Sequence, residues 1–514
     1  MFIKILLILI FFGIMIGVGL FCRKQAKDVR GFVLGGRNVG PWLSAFAYGT
    51  SYFSAVIFVG YAGQFGWKFG VASTWIGLGN AFIGSLLAWI ILGRRTRIMT
   101  QHLHSATMPQ FFENRFNSKS LKLISSIIIF VFLIPYTASL YNGLSRLFGM
   151  GFNVDYTVCI IVMAVLTAIY VIAGGYMATA VNDFIQGIIM LVGIVAIIGS
   201  VLKINGGFLG SLDALARIQD SSASGTPGVF ASFFGPDPFG LLCVVILTSL
   251  GTWGLPQMVQ KFYAIKSEKD IHKGTVISTF FAIVVAGGCY FLGGFGRLFN
   301  VNVATEGYDA IIPAMLANLS PVVFGVALVL VLSASMSTLS SLVLASSSTL
   351  TLDFIDPVFM GNKKEEKKNL PIIRIFIAVF ILISAVIAII QYKKNVTFIA
   401  QLMGLSWGAL AGSFLAPFLY SLYWKKTTKA SCIACFIWGS VLMLANMFFK
   451  SSFPAVLQSP INCGAFAMLG GMVIVPVVSA FTRKPDKEQI DSIFSCYDKK
   501  VMAPIKDVLS SEEA

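Results

Sequence analysis

The chain has very little from which to build a soluble surface. Only 12% of its residues are charged and 57% are hydrophobic, at a mean hydropathy of +0.83, which excludes an ordinary water-soluble globule. Histidine is nearly missing, with 3 in 514 residues, so a histidine-based metal centre has no material. Eight cysteines are scattered at 22, 159, 243, 289, 432, 435, 463 and 496. Their single CxxC pair, Cys432 and Cys435, opens an apolar run with no second pair or His nearby, and reads as packing rather than as a metal or redox centre. There is no phosphate-binding Gly-x4-Gly-Lys-Ser/Thr loop to support ATP-driven pumping. The longest non-apolar stretches, 203–237, 297–319, 355–369 and the tail from Arg483, are too short for an appended catalytic domain.

What remains is a succession of apolar windows of about 20 residues, the length a bilayer core requires. They fall near 2–22, 42–64, 72–92, 123–148, 156–174, 177–202, 239–262, 274–296, 320–350, 370–391, 397–423, 430–449 and 462–482. This predicts an all-α membrane protein of about thirteen transmembrane helices. Residues 1–482 form one polytopic domain and 483–514 a cytoplasmic tail. The first window is too long for a secretory leader and has only Lys4 before it, so it is expected to stay as an uncleaved helix.

The formal net charge of +16 does not call for nucleic acid, because the basic residues follow loop parity. Arg23, Lys24, Lys27, Arg30 and Arg37 share a side with Arg94, Arg95, Arg97, Arg115, Lys119 and Lys122. On that same side fall Lys261, Lys266, Lys269 and Lys273, then Lys363, Lys364, Lys367, Lys368 and Arg374, then Lys425, Lys426 and Lys429, and the tail. The positive-inside bias then puts the N-terminus outside and the C-terminus in the cytoplasm of a cell-membrane protein.

Spans two to six and seven to eleven read as two sets of five, core repeats at about 42–202 and 239–423. An odd number of helices per set inverts the second relative to the first, with binding sites at mid-membrane where helices break. The opening span of each set is interrupted, by Tyr48-Gly49-Thr50-Ser51 in one and by Gly251, Gly254 and Pro256 in the other. Broken backbone at that depth is tolerated only within protein or beside a water-lined cavity.

Two features point to an ion. Between about Phe324 and Leu350, Ala334, Ser337, Thr338 and Ser341 fall at i, i+3, i+4 and i+7, with Ser340 on the shoulder, so one helix face carries a ladder of small oxygens. Asp183 is the one carboxylate embedded in an apolar helix, and its desolvation demands a cation, a proton or a partner. No Lys or Arg is expected in any span interior. A carboxylate with neutral oxygens suits sodium better than a divalent ion, which recruits more carboxylates. The alternatives are back-bonded hydroxyls that merely let helices pack, and a protonated Asp183.

These residues resemble the sodium/solute symporters, whose members share the inverted five-plus-five helix fold of the bacterial leucine transporter. The likeness runs over essentially the whole chain. It is carried by Phe32-Val33-Leu34-Gly35-Gly36-Arg37-Asn38-Val39-Gly40-Pro41, by Gly174-Gly175-Tyr176 with Asn182-Asp183 and Gln186, by Pro256-Gln257 through Gln260-Lys261-Phe262, and by Ala334-Ser335-Met336-Ser337-Thr338-Leu339-Ser340-Ser341. The resemblance implies one extra N-terminal and two extra C-terminal helices around the repeats. It implies a first sodium held by the carbonyls of Thr50, Phe53 and Ala334 and the hydroxyls of Ser337 and Thr338. A second sodium would lie among Asp183, Ser337, Ser340 and Ser341. Proline-transporting members carry an acid and a Trp where Tyr52 and Val56 stand. Ser51-Tyr52-Phe53-Ser54-Ala55, with Phe58, Gly60 and Gly63, looks more like the pantothenate and monocarboxylate branch. Tyr52, Ser54, Trp253 and Gln257 are the expected solute contacts.

The function expected from these features is sodium-coupled import of a small organic solute, a carboxylate, amino acid or sugar, by alternating access, with the monomer as the working unit and the lipid bilayer as its surroundings. It is not expected to be an enzyme, because only Asp183 is a candidate for intramembrane chemistry. Proton coupling through Asp183 and a non-transporting solute sensor are the rivals. A channel would repeat a filter motif, and none is visible.

Overall fold

The computed structural model describes residues 2–152, 154–220, 225–360, 366–394 and 399–498; of the tail, 499–514 lie outside this set. Among the described residues the fold is nearly all helix, and ten helices are long and apolar enough to cross a membrane, or eleven with one bent pair. We label α1 (Phe2–Cys22), α2 (Pro41–Tyr52), α3 (56–69), α4 (74–102), α5 (Lys119–Phe152), α6 (Tyr156–Ile204), α7 (Pro238–Gly254), α8 (Pro256–Ala264), α9 (268–293), α10 (Pro321–Thr349), α11 (Glu366–Lys394), α12 (Ile399–Tyr423), α13 (Lys429–Phe448), α14 (Pro460–Phe481) and α15 (Lys487–Phe494).

Burial sorts these helices by composition. The apolar window of α1 is only 28% buried, whereas that of α12 is 94% buried and that of α10, with its continuation to Met360, 78%. A helix with many hydroxyls cannot face lipid cheaply, so the hydroxyl-bearing helices take the centre. The helical run α6 has 49 residues, which laid straight at 1.5 Å per residue would reach about 73 Å, more than twice a bilayer core. It turns at Gly175, whose φ of 57° and ψ of −150° only glycine adopts readily. A side chain there would also meet Phe32, whose Cδ2 would lie 2.7 Å away.

Two further interruptions matter more. Between α2 and α3 the chain is extended at Phe53 (φ −80°, ψ 115°); between α7 and α8 it is extended at Leu255 (φ −79°, ψ 121°). The second break bends the helix pair by 46°. The two breaks thus share one backbone conformation, and each frees backbone groups in a buried setting. The segment before α2 is stitched to the ends of α4 and α8: the Arg37 guanidinium donates to the carbonyls of Tyr263, Thr100 and Ser105 at 3.1, 3.2 and 2.6 Å. Val39 pairs with Ile265 as an isolated parallel bridge, and Arg97 donates to the Ile265 carbonyl. Beyond α14, α15 returns to the body through a Lys425–Asp491 ion pair of 2.8 Å and an Arg95 guanidinium 4.5 Å from the Tyr497 ring.

The cysteines are all buried and free, and Cys435 donates to the Gly412 carbonyl. Helix α3 lies backbone to backbone on α9: a Cβ on Gly66 would stand 1.9 Å from the Gly293 carbonyl oxygen. Gly66→Ala should therefore lower the melting temperature of the purified protein by the equivalent of about 1–3 kcal/mol of overpacking. An unchanged melting curve would contradict this contact.

Candidate ion and solute site

The breaks bring carbonyls to the one helix that has hydroxyls to meet them. Thr338 Oγ1 lies 3.1 Å from the Thr50 carbonyl, 3.3 Å from that of Phe53 and 3.1 Å from that of Ala334. Ser337 Oγ lies 3.1 Å from the Thr50 and Ala334 carbonyls. All five residues are fully buried. Two hydroxyls carry two protons between them, yet they stand within reach of carbonyl oxygens in five pairings. At least three of these pairings therefore juxtapose lone pairs. A shell of oxygens about 2.4 Å from a hard cation has neighbours spaced about 3.4 Å apart, so a small cation at the centre turns this crowding into coordination. With no carboxylate in the set, a monovalent ion is favoured.

Three other hydroxyls of α10 behave in the ordinary way. Ser335, Ser340 and Ser348 donate to the carbonyls of Val331, Ser337 and Leu344 at 2.8, 2.9 and 2.7 Å, the local back-bonding common to membrane helices.

The expectation that no Lys or Arg enters a span interior needs correction. A basic side chain does reach the interior: Lys261 on α8 is 3% exposed, and its Nζ lies 3.5 Å from Asp183 Oδ2, where the carboxylate is 0% exposed. The same ammonium donates to Ser341 Oγ at 2.9 Å, which in turn meets Ser51 Oγ on α2 at 2.8 Å. Its Nζ also sits 5.1 Å from the centre of the Tyr176 ring. Asp183 and Ser341 thus share one ammonium, while the hydroxyl of Ser337 is directed at Thr50 and Ala334 and that of Ser340 at Ser337. The physical reason is the break at Leu255, since a chain that bends there keeps residues 256–264 inside the body, every one of them buried, instead of delivering Lys261 to a loop.

Of the expected solute contacts, Tyr52 and Ser54 belong to a group of buried aromatic and hydroxyl side chains. The rings of Tyr52 and Trp407 are 5.7 Å apart and those of Tyr136 and Trp407 5.9 Å. Tyr290 and Tyr61 adjoin Tyr52, and Ser54 adjoins Tyr136. Among the described residues, none of the hydroxyls of Tyr52, Ser54, Tyr61, Tyr136 and Tyr290, nor the Trp407 indole N–H, makes a well-formed hydrogen bond, although Tyr52 and Tyr290 lie within polar reach of each other and Tyr136 within reach of Ser54 and Trp407. Polar groups that satisfy one another this loosely can turn to a polar occupant. Trp253 stands apart, its indole donating to the Ile83 carbonyl at 3.0 Å. Gln257 is buried, and neither of its amide atoms has a hydrogen-bond partner among the described residues. The space beside Tyr52, bounded also by Asn80, Thr252 and Ser278, is only 10 Å³, enough for about one water. Tyr61, Tyr136, Tyr290, Trp407 and Lys261 are the site residues that sequence reasoning missed.

Residues 32–439 match the model of the sodium:solute symporter family. The chain belongs to that family. The symporter's curated relatives include sodium/proline symporters from Staphylococcus aureus strains JH9 and NCTC 8325, each 29% identical over 493 residues and covering 93% of both chains. Among solved structures, a Na+-coupled sialic acid symporter in its substrate-bound outward-open state matches with a TM-score of 0.75 at 17% identity, over 95% of this chain and 99% of that one. That likeness concerns the fold. The symporter is therefore a multi-pass membrane transporter whose coupling ion is sodium, which fits the neutral oxygen cluster.

Removing either member of the Lys261–Asp183 pair leaves a buried charge alone. In sodium-free buffer, Lys261→Met or Asp183→Asn should each destabilise the symporter by about 3–5 kcal/mol, and the two together by less than the sum. Additive losses in thermal unfolding would show that the two are not coupled.

Proposed function

We propose that this symporter imports a small polar organic solute, with sodium bound by the carbonyls of Thr50, Phe53 and Ala334 and the hydroxyls of Ser337 and Thr338. The observation that carries the reading is the proton-poor convergence of five oxygens, from both sides of the α2–α3 break and from α10. Sodium there ties the broken helix to α10. Solute seated on the flank of the same break then favours closure, and the coupling is a reciprocal binding free energy. Each inward charge adds about 2.3 kcal/mol per 100 mV of membrane potential.

The architecture proposed around this site has thirteen spans in an inverted five-plus-five arrangement, with N-terminus outside and C-terminus cytoplasmic and the monomer as the working unit. The matched extended residues Phe53 and Leu255 support the repeat. The turns at Gly70 and Gly175, both at positive φ, support dividing the two over-long helical runs into separate spans.

The solute site proposed comprises Tyr52, Ser54, Tyr61, Tyr136, Tyr290 and Trp407. None of these carries a charge, so recognition rests on hydroxyls, ring faces and the backbone of the break. A zwitterion such as the proline carried by the Staphylococcus relatives would find no acid at Tyr52 to meet its ammonium. A monocarboxylate or another compact solute rich in acceptors fits this cage better.

Ser337→Ala and Thr338→Ala should abolish sodium-dependent uptake into proteoliposomes while leaving the protein correctly inserted; unchanged sodium activation in both would sink the assignment. Tyr52→Phe should raise the solute KM several-fold without altering sodium activation. The solute itself is found by a thermal-shift screen of carboxylates, amino acids and sugars in sodium and in potassium. A ligand at 100 times its Kd stabilises by about 2.7 kcal/mol, and the true solute should do so only in sodium.

A further inference from the structure

We infer that the Lys261 ammonium is a tethered cation occupying the place a second sodium would take, so that the chain carries one sodium per cycle and not two. The inference goes beyond the first-site reading but rests on it for the count of one. Its basis is the position of one atom. Lys261 Nζ bridges Asp183 Oδ2 at 3.5 Å and Ser341 Oγ at 2.9 Å, the charged and one of the neutral members of the expected second shell, inside a body where both partners are buried.

Charge decides against adding an ion to that arrangement. Asp183 brings one negative charge and Lys261 one positive, so the pair is neutral. A sodium added beside the ammonium would put two like charges a few ångströms apart in a medium of low effective dielectric. The second oxygen of Asp183 has no partner, so the carboxylate has capacity left; what excludes sodium is the ammonium. Ser340 donates its proton to the Ser337 carbonyl and Ser337 belongs to the first cluster, but a donating hydroxyl keeps its lone pairs, so the exclusion rests on the ammonium and not on these bonds.

The tether also joins four helices. From Asp183 on α6 through Lys261 on α8 to Ser341 on α10 and Ser51 on α2, one chain of polar contacts crosses four helices. It ends one residue from Thr50, whose carbonyl belongs to the first cluster. Unlike a free ion, the ammonium never leaves, so it contributes electrostatic closure at every turnover without drawing on the sodium gradient.

The deciding experiment counts ions directly. Purified full-length protein is titrated with radioactive sodium alone, and the ions bound per chain and the Hill coefficient are read. The wild type should bind one ion with a Hill coefficient near one, and Asp183→Asn should leave the count at one. Lys261→Met, which frees the carboxylate, should bind two, and Lys261→Arg should return to one. Adding Thr338→Ala to Lys261→Met should leave the Asp183 ion alone, one per chain. Two ions on the wild type, falling to one in Asp183→Asn, would overturn the inference even if the Lys261 variants fail to fold. So would a folded Lys261→Met that binds no more than the wild type. A wild type that binds none, beside a Lys261→Met that binds one, would instead sink the first site and support the tethered cation.

Discussion

Everything in this protein is arranged around oxygens that have been denied water and given too few protons. A helix that breaks at Phe53 must place its freed carbonyls somewhere, and inside a membrane protein the choices are another side chain or an ion. Here they face Ser337 and Thr338 on the most enclosed part of α10, where two hydroxyls are shared among three carbonyls. We propose that a cation completes the centre of the fold. A cation there would bridge the broken helix and its neighbour, making its binding at once a packing event and an energetic coupling, and on this proposal the sodium symport needs no catalytic group.

The buried charges obey the same logic of compensation. An isolated Asp183 would be costly at this depth, and the second helix break supplies its counterion by holding Lys261 within the body. On the proposed reading the two breaks do complementary work: the first offers neutral oxygens to a mobile cation, and the second retains a fixed one. The aromatic and hydroxyl cage that contains Tyr52 adds polar demand with no net charge, on the flank of the same broken helix.

The sequence made much of this legible and concealed the rest for identifiable reasons. The helices were readable because a bilayer demands long apolar windows, and the face joining Ala334, Ser337, Thr338 and Ser341 because helical periodicity aligns it. The carbonyls of Thr50 and Phe53 have no side-chain signature and were reachable only through resemblance. Lys261 was misplaced because loop parity assigns a basic residue at the end of a span to the cytoplasm. Nothing in the local sequence said that the chain would bend by 46° and stay buried, although Gly254-Leu255-Pro256 marked where it could. Tyr61, Tyr136, Tyr290 and Trp407 come from four separate helices in a chain that is 13% aromatic, so no spacing singled them out. Trp253 was expected at the solute for its aromatic face, and its indole N–H donates to the Ile83 carbonyl.

The central claim concerns where the coupling ion sits, and a high-resolution density map of the protein prepared in sodium, compared with one prepared in potassium, tests it most directly. The account predicts a sodium-dependent peak about 2.4 Å from the carbonyl oxygens of Thr50, Phe53 and Ala334 and the hydroxyls of Ser337 and Thr338. A map in sodium with those five oxygens still paired to one another, and the ion density elsewhere, would contradict it.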